Sequence, residues 1–232
     1  MREATISAIT KAKSRTTLYH FTRGRNLPAI AHFDALLSSY NLYSHNAGER
    51  RPSAKQVEYD DFTITINAHL KIPEKMIDAA TTQEQFRACL DKHVFFWPTL
   101  KDCQKMLETY TRREPDEEFA ILAFDAYSLL LAHFQAVKLS KYDSGSAPRF
   151  PARCSYRKSP DMFLPIQDFK RRINNTVPTK ASEIKEVLIE EQVVHVTEYL
   201  RAIYIMEGIV IPERWRMLVE PLADLQVKYN EE

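Results

Sequence analysis

Four glycines in 232 residues, at positions 24, 48, 145 and 208, constrain this chain more than any other feature. A Gly-x-Gly-x-x-Gly turn lets backbone approach a pyrophosphate, and a Gly-x-x-x-x-Gly-Lys-Ser/Thr loop wraps phosphates with main-chain N–H groups. Neither can be drawn from glycines so far apart. If such a chain holds a dinucleotide, it does so on something other than a Rossmann fold.

The remaining composition is that of a folded domain. Hydrophobic residues make up 44% and aromatic residues 11%, enough for a sizeable core, and the length suits a single domain over residues 1–232. Lys+Arg 32 against Asp+Glu 31 leaves a formal charge of +1, which excludes a basic coat but not a local basic groove. No apolar run approaches the roughly 20 residues a membrane helix needs, so no membrane partner is expected. The opening Met1-Arg2-Glu3-Ala4-Thr5 lacks the apolar core of a secretory signal. Cys89, Cys103 and Cys154 show no Cys-x-x-Cys spacing, which points to reduced thiols, a cytoplasmic setting and no metal site.

Residues 1–15 read as a polar, basic approach segment. Leu18-Tyr19-His20-Phe21 alternates as a strand, turns through Arg23-Gly24-Arg25-Asn26, and enters a helix carrying Leu27, Ile30, Phe33, Ala35 and Leu36, with Asn26 as N-cap. A histidine at a strand end beside a helix N-terminus suits contacts to a ribose or phosphate, and equally suits a satisfied structural histidine. Residues 38–53 form a polar loop bearing Arg50-Arg51-Pro52, whose guanidiniums can hold a pyrophosphate or simply be solvated. A hairpin follows at 57–66, then a helical stretch over 74–92 that restarts at Thr82. In His93-Val94-Phe95-Phe96-Trp97 alternation puts Phe95 and Trp97 on one face and Phe96 on the other, so one ring can line a cleft while its neighbours pack. Thr99 caps the next helix. Strands are expected near 117–125, 136–139, 161–166 and 200–206, helices at 126–134 and 212–229. The segment 141–160 is irregular and carries Lys141, Arg149, Arg153, Arg157 and Lys158 among Tyr142, Phe150 and Tyr156, a mixture that suits single-stranded nucleic acid as well as a plain surface. In Ile184-Lys185-Glu186-Val187-Leu188-Ile189, strand alternation sets Glu186 beside apolar neighbours, an awkward place for a charge unless the strand lies at an edge facing water.

Three of these stretches resemble, in order, elements of the DarT-like ADP-ribosyltransferases: Tyr19-His20-Phe21-Thr22 with Asn26-Leu27-Pro28-x-Ile30, then Val94-Phe95-Phe96-Trp97-Pro98-Thr99, then Lys185-Glu186-Val187-Leu188-Ile189. The resemblance spans roughly residues 17–206. It implies an α+β, split-sheet ADP-ribosyltransferase-like core that uses NAD as co-substrate and no metal. It further implies Glu186 as the catalytic acid, Arg51 (or its neighbour Arg50) as the loop arginine that steadies the phosphates or helps the acceptor lose a proton, and His20, Phe21, Thr22, Asn26 and one of Phe95, Phe96 and Trp97 as NAD contacts. Members of the family modify single-stranded DNA (DarT) or messenger RNA (CmdT), act as toxins, and are held in check by a protein antitoxin. Arg149, Arg153, Arg157 and Lys158 are the matching nucleic-acid candidates. A protein acceptor, or an inactive NAD- or nucleic-acid-binding module, are the alternatives from other classes.

Overall fold

The computed structural model describes residues 1–146, 150–152 and 154–225, with Asn46 described by its backbone alone. The fold is α+β, as expected. It comprises two compact units of interleaved segments: Met1–Leu36, Phe95–Phe134 and the chain from Val193 on make the first, Leu37–Val94 and Gln135–Gln192 the second.

The first unit is built on β6 (Phe119–Asp125), whose apolar run Phe-Ala-Ile-Leu-Ala-Phe is buried on both faces. It has neighbours on both edges. β1 (Thr17–Arg23) pairs antiparallel along its whole length, from Thr17 opposite Asp125 to Arg23 opposite Phe119. β11 (Leu200–Ile205) pairs antiparallel on the other side, and β12 (Val219–Pro221) extends the sheet in parallel. α5 (Leu100–Arg113) starts as the sequence suggests, with Thr99 Oγ1 accepting from the Asp102 N–H at 3.2 Å. Phe21, Tyr110 and Phe119 meet in the core at ring-centroid separations of 4.8–6.0 Å. α6 (Ala126–Ala132) follows β6 directly because Asp125 accepts from the Ser128 N–H at 2.9 Å.

The second unit contains strands ordered β9-β7-β8, from β9 (Glu186–Glu190), β7 (Val137–Ser140) and β8 (Phe163–Pro165), while β5 (His93–Phe96) begins in this unit and ends in the first. The β7–β9 pairing is antiparallel and sets Ser140 opposite Glu186. A hairpin, β3 (Lys55–Tyr59) with β4 (Phe62–Ile66), and α4 (Gln83–Asp91) belong to the same unit. Thr82 and Gln85 cap α4 reciprocally, as a Thr-x-x-Gln signature should.

Several sequence expectations are corrected here. The opening segment is helical over Arg2–Thr10, because Ile6 and Ile9 are spaced to bury together. The helix after the first strand ends at Phe33, where Asp34 takes a left-handed conformation (φ 49°), so Ala35–Leu37 continue as strand. Asn26 makes no side-chain cap; its amide lies 3.5 Å from Thr22 Oγ1. Glu74–Met76 form a 3₁₀ turn, and no helix continues through residue 80, since Ile77 bridges to Lys158. Of the closing helix expected over 212–229, residues 226–229 lie outside the described residues; the rest is a 3₁₀ segment, Glu213–Leu218, then β12, then helical residues 222–225. Pro221 has no N–H for a helix but accommodates an edge strand. Trp215 and Leu225 are buried all the same, at 0% and 1% exposure.

Candidate active site

Glu186 opens β9, and its carboxyl lies inside the second unit, 2% exposed. Both oxygens are engaged by one residue. The Ser144 backbone N–H donates to Oε2 at 3.1 Å, and the Ser144 hydroxyl donates to Oε1 at 3.2 Å. Burial raises the Glu186 pKa above the ordinary carboxylate range, and the neighbouring Asp143 charge adds to this; the Ser144 donors and Lys158 oppose it. An edge-strand acid facing water would look quite different. Each oxygen keeps a further lone-pair direction, so the carboxyl can still accept from a substrate hydroxyl.

In the first unit, the Tyr19–Trp97 pairing, with N···O distances of 3.0 and 2.8 Å, brings the Phe95–Trp97 segment alongside β1. His20 Nδ1 consequently sits 2.9 Å from the Phe95 carbonyl, and its ring centroid 5.5 Å from that of Phe96. A carbonyl can only accept, so this bond places the proton on Nδ1 and leaves Nε2 as a lone-pair acceptor. Burial pulls the His20 pKa down to about 4, against the opposing Phe95 bond, so the ring is neutral at pH 7. A neutral imidazole with one committed edge and one accepting edge suits a sugar hydroxyl.

The other cofactor candidates divide by burial. Phe95 is the least buried ring of its strand. Phe96 is fully buried against Phe124, and Trp97 and Phe21 belong to the core cluster at 7% and 4% exposure. Thr22 and Asn26 are each 7% exposed.

Arg51 is held structurally. Its guanidinium forks onto Asp91 at 3.1 and 2.6 Å, its Nε–H donates to the Asn67 carbonyl at 3.1 Å, and its backbone N–H donates to His69 Nδ1 at 3.0 Å. His69 Nε2 completes the cluster on Asp91 at 2.9 Å. Burial alone would raise the Asp91 pKa, but the bonds from His69 and Arg51 outweigh it and keep the acid ionised. Arg50, in contrast, is exposed and borders two surface clefts, one lined also by Tyr43, Ser53 and Lys55, the other by Lys71, Phe86 and Arg87.

Of the four nucleic-acid candidates, Arg149 and Arg153 lie outside the described residues. Arg157 is exposed and covers the Phe150 ring at 4.8 Å. Lys158 is a correction. It is fully buried, and its ammonium donates to the Asp143 and Ser144 carbonyls at 2.8 and 2.6 Å, so it offers nothing to a strand outside. Sequence reasoning missed Ser144 and Asp91 altogether. Asp143-Ser144-Gly145 is a legible turn, but no local signal says that it folds onto an acid 42 positions later. Among the described residues, no group of His, Cys, Asp and Glu is placed to hold a metal ion, and no helix is long and apolar enough to cross a membrane.

A family model described as "Family of unknown function (DUF7002)" matches residues 16–200, most of the chain. A comparison with curated proteins finds no match. Among solved structures, the chain is similar to Thermus sp. 2.9 DarT in complex with carba-NAD+, at 13% identity and a TM-score of 0.37, covering 95% of this chain and 93% of that one. The same Thermus protein with NAD+ gives 12% identity and a TM-score of 0.36, covering 94% and 91%. With ADP-ribosylated ssDNA it gives 13% and 0.36, covering 94% and 90%. Scores this low leave the functional reading to the residues themselves.

Proposed function

We propose that this chain, which belongs to the DUF7002 family, is an NAD-dependent ADP-ribosyltransferase that transfers ADP-ribose to a nucleic acid, RNA or single-stranded DNA. The observation that carries the reading is Glu186: a buried, strand-opening acid gripped by two donors, in the Glu-aliphatic-aliphatic-aliphatic setting where the resembled family keeps its catalytic glutamate. Both of its oxygens are held by a serine, and each keeps a lone-pair direction open to a reacting group.

The bound dinucleotide supplies a ribose that becomes positively charged as its bond to nicotinamide breaks. Glu186 is suited to accept from the hydroxyl of that ribose and to stabilise the developing charge. A cationic pyridinium nearby would also favour the ionised acid, offsetting the effect of burial. His20, neutral with Nε2 open, accepts from a sugar hydroxyl, and Phe95 is the ring of its strand with surface left to stack on a flat group. Arg51 shapes its loop through Asp91 and acts indirectly. Arg157 on Phe150, and the exposed Arg50, support a nucleic-acid acceptor through phosphate and stacking contacts. A toxin restrained by a protein antitoxin is the corresponding biological role.

The test is transfer from labelled NAD to separate DNA, RNA and protein pools. Nuclease-sensitive label, lost in Glu186→Ala, is the expected result, and Glu186→Ala should also relieve the growth arrest caused by expressing the wild-type chain. Full activity in Glu186→Ala refutes the assignment, and label in protein alone refutes the acceptor.

A further inference from the structure

Lys158 is a fully buried ammonium, and a bare one would be costly in so apolar a place. Its two described partners are consecutive carbonyls, Asp143 at 2.8 Å and Ser144 at 2.6 Å. They belong to a turn that is closed again from within. Asp143 Oδ1 accepts from the Gly145 and Ser146 N–H groups, both at 2.9 Å, and the Ser146 hydroxyl donates to the Asp143 carbonyl at 3.0 Å. The Lys158 backbone is fixed independently, its N–H donating to Met76 at 2.6 Å and its carbonyl accepting from Asp78 at 2.9 Å. Tyr142 and Tyr156, one on each limb of the loop, stack at 3.6 Å. On the far side of the turn, Ser144 presents its N–H and hydroxyl to Glu186. Ser144 is 4% exposed, so water does not compete freely for these bonds.

We propose that Lys158 and Ser144 are positioning residues for Glu186: the buried ammonium fixes the Asp143–Ser146 turn, and the turn holds both carboxyl oxygens so that their remaining lone pairs point in one direction. The catalytic part of this rests on the ADP-ribosyltransferase reading; the clamp itself does not. Ionisation of Glu186 should follow the clamp. The charged groups that bear on it are Asp143, which disfavours the carboxylate, and Lys158, which favours it; Lys158 in turn feels Asp143, Glu186 and Cys154. Losing a donor to the carboxylate, or the cation behind it, makes the ionised acid harder to form.

The experiment follows the Glu186 carboxyl directly, by carbon NMR of chain labelled at glutamate Cδ, with Glu186→Gln identifying the signal. Alongside, kcat and KM for NAD cleavage are measured against pH. In Ser144→Ala the titration midpoint should rise by about one pH unit, and the acid limb of kcat should move with it. At neutral pH kcat should fall at least ~10-fold while KM changes by less than about twofold. Ser144→Thr, which keeps the hydroxyl, should restore both. Lys158→Met should shift the midpoint the same way; Ser144→Ala keeps the test decisive if Lys158→Met does not fold. An unmoved midpoint in folded Ser144→Ala overturns the clamp whatever the activity. A midpoint that shifts in Ser144→Ala, together with a wild-type chain inert toward NAD, supports the clamp and refutes the enzyme reading, so the two failures are separable.

Discussion

The acid response of His20 can be worked through quantitatively. Folding moves its pKa from 6.5 to about 4, because burial disfavours the imidazolium more than the Phe95 carbonyl favours it. Between these values the unfolded chain binds the proton and the folded chain does not, so stability falls as pH falls. Above pH 6.5 the residue contributes nothing to the pH dependence, and below about 4 the full loss, ~3 kcal/mol, has been incurred. From pH 7 to pH 5 the share belonging to His20 is about 2 kcal/mol. With an m-value of about 2 kcal/mol per M, that is a drop of about 1 M in the urea midpoint. His93 is lowered to about 4 for the same reason, by burial, and adds its own loss, so the wild-type response alone does not isolate His20. His20→Asn does. Its amide can still donate to the Phe95 carbonyl but does not titrate, and the difference between variant and wild type cancels the His93 contribution. Urea unfolding of both proteins at pH 7 and pH 5 is the assay. The variant should lose about 2 kcal/mol less than the wild type over that interval. Equal losses would show that folding leaves the His20 pKa at its unfolded value, and the account of a ring kept neutral by burial would be refuted.

Two other consequences test the description of the second unit. Arg51→Met leaves Asp91 buried without its fork partner and should cost about 3–5 kcal/mol in thermal or urea unfolding, whereas Arg50→Ala, at an exposed position, should stay within about 0.5 kcal/mol. Equal small effects would mean that the Arg51–Asp91–His69 cluster is not formed. Thr82→Ala removes the reciprocal cap of α4 and should cost about 1 kcal/mol with no effect on NAD chemistry, read from the unfolding midpoint and from NAD cleavage; a parallel loss of activity would place α4 in the site.

Wherever a local rule sufficed, the sequence was a good guide. Alternation in Leu18–Phe21 and the apolar run Phe119–Phe124 marked strands, and Thr82 and Thr99 marked helix starts, since such runs and N-caps depend on neighbours only a few positions away. Local rules failed where pairing at a distance won. Ile77 pairs with Lys158 instead of continuing a helix, and Val219–Pro221 join Ile203–Ile205 instead of completing an amphipathic face.

For the site, the amino-acid order by itself determined which residues were chemically odd: a histidine at a strand end, an acid among aliphatics, and glycines too few for a phosphate loop. It also gave the motif order behind the family resemblance. Tertiary structure alone decided what each of them is bonded to. Lys158 has the composition of a surface cation and became a buried anchor; Arg51 has that of a phosphate ligand and became half of an ion pair; Ser144 had no distinguishing feature and holds the acid. The physical reason is that burial and hydrogen-bond partnership are set by chain segments tens of residues apart, and those two quantities fix charge state and role. Residue type and spacing carry neither.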